Sequence, residues 1–152
     1  MKNLALRTAV ILCGGKGTRL GSLSKKTPKS LVKINNQPII WFIIKNLIKN
    51  SFNHFILPVG YKGNLIKNYI KRQKEFKNLK IEIVNTGTNT HIAKRIFLIK
   101  KKIKSKNFLL MNGDAIFDFN LKKMYEDHEK KLKHLTFLGC ENQLAYGTVG
   151  VL

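Results

Sequence analysis

Glycines and cations cluster near the start of the chain, in a spacing suited to holding a polyphosphate. The cluster has three glycines within four residues and two later cations: Gly14, Gly15, Gly17, Arg19 and Lys29. Glycine tolerates positive φ angles and lets main-chain N–H groups approach a ligand with no side chain between them. A loop of this kind, flanked by fixed cations, can bind phosphate groups. The chemistry expected here is therefore nucleotide or phosphate binding.

Two common phosphate-binding loops do not account for this spacing. A dinucleotide-binding turn requires G-x-G-x-x-G, and Leu20 stands where its third glycine would be. A P-loop ends in Gly-Lys-Ser/Thr, whereas Lys16 is followed here by Gly17. The chain instead has a third pattern, Gly-Gly-x-Gly-Thr-Arg-Leu with Pro-Lys further along. A glycine-rich surface turn is the alternative interpretation.

Asp114 is the carboxylate best placed for a metal ion. It is one of eight carboxylates in the chain, and it follows the apolar run 108–111 through Asn112-Gly113. A polyphosphate arrives with Mg²⁺, which takes one or two carboxylates together with phosphate oxygens and waters. We therefore expect Asp114 to bind Mg²⁺; the alternative is an aspartate that only shapes an Asn-Gly-Asp turn. Asp118 is better explained as the cap of a following helix.

The pattern of apolar residues predicts strands that alternate with helices. Strands are predicted over residues 8–12, 55–59, 81–84, 108–111 and 135–140, and helices over 39–49 and around the apolar positions of 65–70, 92–103 and 121–132. A short extended piece at 31–34 is followed by a predicted turn at Asn35-Asn36. This alternation favours one α/β domain over residues 1–152, with a Rossmann-like, three-layer α/β/α fold around a mainly parallel sheet. Ligands of such folds bind at the carboxyl ends of strands, beside the first strand. The glycine loop and Asp114 both follow strands at that edge.

The net charge of +21 first suggests a nucleic-acid partner, because the chain has 29 basic residues and only eight acidic ones. Only four of the basic residues are arginine, and the lysines occur in every segment, which indicates a bias of the whole chain. No RNA-binding aromatic signature and no zinc-finger spacing is present. A nucleic-acid-binding protein is thus the remote alternative. The charge is still expected to attract anionic substrates such as nucleotides and phosphate esters.

The positions of the cysteines and the lengths of the apolar runs argue against a protein that is disulfide-bonded, binds a metal through cysteine, spans a membrane or is secreted. Cys13 and Cys140 stand apart from any second cysteine or histidine pair, so both are predicted to be small buried strand residues. The longest apolar run, 39–44, is far shorter than the roughly 18 residues that a membrane span needs. The apolar stretch before the glycine loop is too short for a signal peptide. We expect a cytoplasmic protein without a membrane partner.

Several motifs together resemble the sugar-phosphate nucleotidyltransferases, also called nucleotide-sugar pyrophosphorylases. The subgroup most similar is glucose-1-phosphate cytidylyltransferase. The resemblance is carried by Gly-Gly-Lys-Gly-Thr-Arg-Leu at 14–20, Thr-Pro-Lys-Ser-Leu at 27–31, Pro-Ile-Ile-Trp at 38–41, Val-Gly-Tyr-Lys at 59–62, Asn-Thr-Gly at 85–87 with Thr90 and Arg95, Asn-Gly-Asp at 112–114 and Tyr-Gly-Thr-Val at 146–149.

The resemblance implies transfer of a nucleoside monophosphate from a nucleoside triphosphate, CTP in this subgroup, to a phosphorylated small molecule such as a sugar 1-phosphate. It further implies Mg²⁺ as the cofactor and Asp114 as its ligand. The sequence leaves the oligomeric state open, with a homo-oligomer as one alternative. Arg19 and Lys29 would act on the phosphates as catalytic residues. The remaining nucleotide contacts implied by the resemblance are Leu12, Cys13, Gly14, Gly15, Gly17, Thr18 and Arg95.

Two departures from the family pattern leave alternatives open. Ile92-Ala93-Lys94 stands where the cytidylyltransferases have Thr-Gly-Gly, so a different base or a non-sugar acceptor such as a phosphocholine-like molecule is an alternative. Members of the family also continue well past Leu152, and this chain resembles their N-terminal part. A non-catalytic nucleotide-binding domain is the second functional class that this departure favours.

Overall fold

The protein is described by a computed structural model, which covers residues 6–17 and 27–139. Within these ranges the strands are β1 (Thr8–Leu12), β2 (Lys33–Ile34), β3 (Gln37–Pro38), β4 (His54–Val59), β5 (Lys80–Asn85) and β6 (Phe108–Asn112). The α-helices are α1 (Ile39–Lys49), α2 (Gly63–Arg72), α3 (Ile92–Ile99) and α4 (Leu121–Lys130). Single 3₁₀ turns lie at Lys29–Leu31, Lys74–Phe76 and Lys100–Lys102.

The main sheet has the strand order β5-β4-β1-β6, and all of its pairs are parallel. The chain runs outward from β1 to β4 and β5, then crosses to the other side of β1 to form β6. The switch in direction therefore lies between β1 and β6, and their carboxyl ends lead into the glycine loop and into Asp114. This topology confirms the predicted mainly parallel α/β sheet, and it places both chemical elements side by side.

Helices cover both faces of the sheet, as the predicted three-layer arrangement requires. On one face Ala9 and Ile11 of β1 pack with α1, α2 and α4, whose buried contributions include Ile44 and Ile66. On the other face Val10 and its neighbours pack against Ile99 of α3. Successive strand residues point to opposite faces, so an apolar run without alternation is what a strand covered on both sides needs.

The helix predicted over residues 39–49 has those bounds in the structure. Pro38 precedes it in an extended conformation, which a proline favours just before or at a helix start. The predicted turn at Asn35-Asn36 connects β2 to β3, and both asparagines have positive φ angles, 45° and 67°. Asparagine tolerates this conformation better than most residues. The local signals in this segment were therefore sufficient to predict it.

The strand predicted over 135–140 is wrong for the residues that the structure describes. Residues 135–139 form no strand there, and Leu135 and Phe137 are 76% and 80% exposed. Alternating apolar residues become a strand only when a neighbouring strand accepts their main-chain hydrogen bonds. No described strand pairs with this segment. Cys140 lies outside the described residues.

The apolar stripe predicted over residues 92–103 is also shorter than expected. The α-helix ends at Ile99 and tightens into a 3₁₀ turn, and Ile103 lies beyond it against the sheet. Ile92 is 55% exposed because it begins the helix at the wall of a cavity. The helix predicted to reach Leu132 likewise ends at Lys130. None of the helices in the described ranges is both long and apolar enough to span a bilayer.

A polar network closes the amino-terminal edge of the sheet, opposite the glycine loop. His54 is fully buried, with Nδ1 3.1 Å from Thr8 Oγ1 and Nε2 2.9 Å from Glu82 Oε1. Lys102 Nζ donates to Glu82 Oε2 at 2.6 Å, and Ser105 donates to Thr8 at 2.7 Å. Satisfying these buried groups ties β1, β4 and β5 to the turn after α3.

Because Glu82 belongs to this network, we predict that the free energy of unfolding depends on pH through the ionisation of Glu82. The hydrogen bond from Lys102, and then the one from His54, lowers the pKa of Glu82 below its usual 4.5. A depressed folded-state pKa means that the carboxylate stabilises the fold above about pH 4.5, and this contribution is lost as the pH falls through the folded-state value. Glu82→Gln is thus expected to flatten the pH dependence of the free energy of unfolding below about pH 4.5.

Urea denaturation across that pH range measures the effect. The exposed Asp118→Asn variant controls for the loss of one carboxylate elsewhere in the chain, because the side chain that caps α4 is that of Asn120 and not that of Asp118 as predicted. An equal slope for Glu82→Gln and the unmodified protein would contradict the prediction.

Candidate active site

A cavity of about 510 Å³ opens at the carboxyl edge of the main sheet. Its wall comes from three segments that each follow a strand: the glycine loop after β1, the loop before α3 that follows β5, and residues 112–114 at the end of β6. The 3₁₀ turn at Lys29–Leu31 closes a further side. Segments far apart in sequence meet here because the carboxyl ends of parallel strands share one edge.

The cavity gathers eight of the ten residues to which the sequence assigned a role. These are Leu12, Cys13, Gly14, Gly15, Gly17, Lys29, Arg95 and Asp114. The other two, Thr18 and Arg19, lie outside the described residues. Their assignments stay predictions, and so do the individual contacts of the eight with a nucleotide.

The cavity also contains residues to which the sequence assigned no ligand contact. They are Ser30 beside Lys29, and Thr88, Thr90, His91 and Ile92 from the loop between β5 and α3. The available signal was their position, since this loop follows the predicted third strand and therefore lies at the same edge. No residue type in it marks a ligand by itself.

Three loops approach one another closely beneath the cavity. A Cβ on Gly60, just after β4, would lie 2.8 Å from the carbonyl oxygen of Gly14 and closer still to that of Gly87. Gly87 has a φ of +90° and Gly17 has a φ of +64°, conformations that glycine adopts at little cost. Glycines therefore permit this close approach as well as the turns themselves.

Arg95 lies at the centre of this junction and is only 4% exposed. One terminal nitrogen, Nη1, donates to the carbonyl of Val59 at 3.3 Å and to the hydroxyl of Thr86 at 2.5 Å. The other, Nη2, donates to the carbonyls of Gly14 at 3.0 Å and Thr88 at 3.4 Å. Burial lowers the pKa of Arg95, but a guanidinium stays charged in proteins. The cavity floor therefore carries a fixed positive charge.

Lys29 and Asp114 form an ion pair across the cavity, between Nζ and Oδ2. Their side chains are 44% and 24% exposed, so both reach solvent through the cavity. A pair of this exposure contributes little to stability, about 0–1 kcal/mol. Each partner is therefore available for a ligand of opposite charge: Lys29 for an anion and Asp114 for a cation.

Cys13 packs beneath the β6 loop and carries no charge. A Cβ on Gly113 would lie 2.6 Å from its sulfur, so the thiol fills the space that the glycine leaves. Burial raises the pKa of Cys13 to about 12. The hydrogen bond with Ser30 lowers this pKa, and the charge of Asp114 raises it further. The protonated thiol is not a nucleophile. Its predicted burial is confirmed.

The donor set of the cavity is compatible with Mg²⁺ as part of a substrate complex. Asp114 offers one carboxylate, and the described residues contain no group of three or more His, Cys, Asp or Glu side chains that could hold a metal alone. Mg²⁺ is usually bound through one or two carboxylates, with substrate phosphates and waters completing its octahedron. Asp114 would hold such an ion, which neutralises the charge of bound phosphates.

Comparison with known proteins assigns the family. A family described as "Nucleotidyl transferase" matches residues 8–151, which is nearly the whole chain. The chain belongs to this family. The resemblance inferred from the motifs is thereby confirmed.

Two curated nucleotidyl transferases show how much of a family member is present. The chain is 34% identical to a "Probable glucose-1-phosphate cytidylyltransferase" of Bacillus subtilis (strain 168), over 94% of this chain and 64% of that protein. It is 37% identical to a D-glycero-alpha-D-manno-heptose 1-phosphate guanylyltransferase of Campylobacter jejuni, over 94% of this chain and 62% of that protein. The chain therefore spans less than two thirds of the length of these relatives.

Solved structures of the family share the fold. HddC from Yersinia pseudotuberculosis, complexed with GMP-PN, superposes with a TM-score of 0.69 at 28% identity, over 80% of this chain and 53% of that one. The UTP-bound UGPase from Acinetobacter baumannii superposes with a TM-score of 0.73 at 18% identity, over 84% of this chain and 54% of that one. The second likeness concerns the fold alone.

Proposed function

We propose that the protein is a Mg²⁺-dependent sugar-phosphate nucleotidyltransferase and that this chain contains its nucleoside triphosphate site. The observation that carries the proposal is the convergence of the glycine loop, Lys29, Arg95 and Asp114 on one cavity. Main-chain N–H groups, two cations and a carboxylate are the groups that a magnesium triphosphate requires. Two relatives of the chain are named for nucleotidyl transfer to sugar 1-phosphates.

The reaction needs positioning and charge neutralisation more than a covalent group on the protein. A phosphate oxygen of the acceptor forms a bond to the α-phosphorus, the bond from that phosphorus to the bridging oxygen breaks, and pyrophosphate leaves. In this proposal Lys29 stabilises the α-phosphate, Arg19 and Thr18 bind the β- and γ-phosphates, and Asp114 holds Mg²⁺. Leu12, Cys13, Gly14, Gly15 and Gly17 form the nucleotide subsite, and Arg95 lies at its floor.

CTP is the proposed triphosphate, and GTP is the second candidate. The cytidylyltransferase motifs and the Bacillus subtilis relative favour CTP. The guanylyltransferase of Campylobacter jejuni, slightly more identical, and the GMP-PN complex of HddC favour GTP. Of residues 92–94, which depart from the cytidylyltransferase pattern, Ile92 lines the cavity, and we propose that it influences this choice.

Thermal unfolding in the presence of nucleotides tests the proposal. CTP, UTP, GTP, ATP and dTTP are each added with and without Mg²⁺. A ligand at about 100 times its dissociation constant stabilises by about 2.7 kcal/mol, enough to raise the unfolding temperature by several degrees. We expect one triphosphate to give this shift in a Mg²⁺-dependent manner, and Asp114→Asn to remove the contribution of Mg²⁺.

Two outcomes would contradict the proposal. No shift with any triphosphate, from a folded sample, would exclude the site. Binding without pyrophosphate release, when sugar 1-phosphates and other phosphorylated acceptors are supplied, would favour a non-catalytic nucleotide-binding domain.

A further inference from the structure

Arg95 contacts groups that belong to the protein itself. Its four hydrogen bonds reach Gly14 in the glycine loop, Val59 at the end of β4, and Thr86 and Thr88 after β5. A planar guanidinium can hold several acceptors in fixed directions at once, which an ammonium group cannot do. The side chain therefore connects three loops that come from three different strands.

We propose that Arg95 is a positioning residue that holds the glycine loop in the geometry for nucleotide binding, without itself contacting the nucleotide. The proposal rests on the proposed function, because it explains how that site is built. It also replaces the direct nucleotide contact that the family resemblance implied for Arg95. The hydrogen bond to the Gly14 carbonyl is the decisive contact, since it restrains the loop directly.

The charge of Arg95 supports this role. Within the described part of the chain no carboxylate pairs with Arg95, and its acceptors are carbonyls and one hydroxyl. A buried guanidinium that is satisfied by neutral groups keeps its positive charge uncompensated. It therefore orders the loop and also makes the cavity favourable for an anion. The hydrogen bonds from Arg95 also fix the orientation of the carbonyl groups that accept them.

Gly14 provides an independent way to displace the guanidinium. A Cβ at position 14 would overlap the Arg95 Cζ and Nη atoms, and its φ lies outside the left-handed region. Gly14→Ala would therefore expel the arginine head without strain in its own backbone and without removing the charge. Gly15→Ala is the matched control, because a Cβ there meets nothing within 4 Å.

Amide hydrogen exchange without nucleotide tests the positioning role by itself. The reporters are the Thr86 amide, which donates to the Val59 carbonyl at 2.8 Å, and the Cys13 amide, which donates to the Pro58 carbonyl at 3.0 Å. Arg95→Met and Gly14→Ala are each expected to speed exchange at both amides at least about tenfold, since each breaks charged hydrogen bonds. Gly15→Ala is expected to leave these exchange rates unchanged. Unchanged rates in Arg95→Met would overturn the proposal.

Nucleotide affinity, measured by titration calorimetry with CTP and GTP, tests the consequence for the site. Arg95→Met is expected to raise the dissociation constant at least about tenfold. Ile99→Ala, one turn further along the same helix and buried against Val10 and Ile56, destabilises the fold through a core cavity and should leave the dissociation constant unchanged.

The two experiments separate the failure of each idea. A protein that binds none of the triphosphates overturns the proposed function, while the exchange rates still decide whether Arg95 holds the loop. A rise in the dissociation constant without faster exchange would show a direct contact with the nucleotide and would overturn the positioning role.

Discussion

Lys29→Ala is expected to lower the rate of nucleotidyl transfer by about 100- to 1,000-fold while the protein stays folded. Removal of one preorganised donor that stabilises developing charge typically has an effect of about this size. The ion pair of Lys29 with Asp114 is partly exposed, so its loss changes the free energy of unfolding by less than about 1 kcal/mol. Pyrophosphate release measures the rate, and urea denaturation measures the stability.

Lys33→Ala is the matched control for this experiment. Lys33 is an exposed lysine of β2, four residues further along the chain and outside the cavity. The Lys33→Ala variant removes the same charge from the same region. Because Lys33 lies outside the cavity, the rate of this variant should equal that of the unmodified protein. Arg19→Ala is expected to reduce the rate as Lys29→Ala does. Near-normal turnover in both Lys29→Ala and Arg19→Ala would refute the roles assigned to Lys29 and Arg19.

Gly60→Ala is expected to lower the free energy of unfolding by about 1–3 kcal/mol, the range for a methyl group forced into a close-packed site. The new Cβ would meet main-chain carbonyl oxygens of Gly14 and Gly87. Backbone atoms cannot rotate away as the end of a side chain can, so at least one loop must shift. Because these loops form the cavity floor, we also expect weaker binding of the triphosphate.

Gly15→Ala serves as the stability control for Gly60→Ala. Its Cβ would extend into open space, and the free energy of unfolding should change by less than about 0.5 kcal/mol. Urea denaturation of both variants measures the difference. An equal stability of Gly60→Ala and Gly15→Ala would show that the three loops are not packed as described.

The elements whose signals lie close together in the sequence were predicted well. The β1 strand, the helix α1 after Pro38 and the Asn35-Asn36 turn all have the predicted bounds, because neighbouring residues decide them. Predictions that depended on a distant partner were less reliable. The segment 135–139 has strand-like alternation but no described strand beside it, and Ile92 belongs to a cavity wall instead of a buried stripe.

The same distinction applies to the candidate site. The glycine loop, Lys29 and Asp114, which line the cavity, could be found from residue type and spacing, because those residue types suit a phosphate and metal site by their own chemistry. The parallel arrangement of the strands then followed from the alternation of elements, and it predicts that these groups meet at one edge of the sheet. The sequence by itself therefore determined the family, the fold class and the principal charged groups of the site.

Only the tertiary structure decided how these groups are held. The contact between Gly14 and Arg95 joins residues 81 positions apart, and no periodicity or motif predicts which carbonyls a buried guanidinium will reach. The pairing of Lys29 with Asp114 and the placing of Thr88 and Thr90 at the cavity depend in the same way on several loops meeting at one edge. The physical reason is that local preferences act between neighbours in sequence, whereas packing and hydrogen bonding act between neighbours in space.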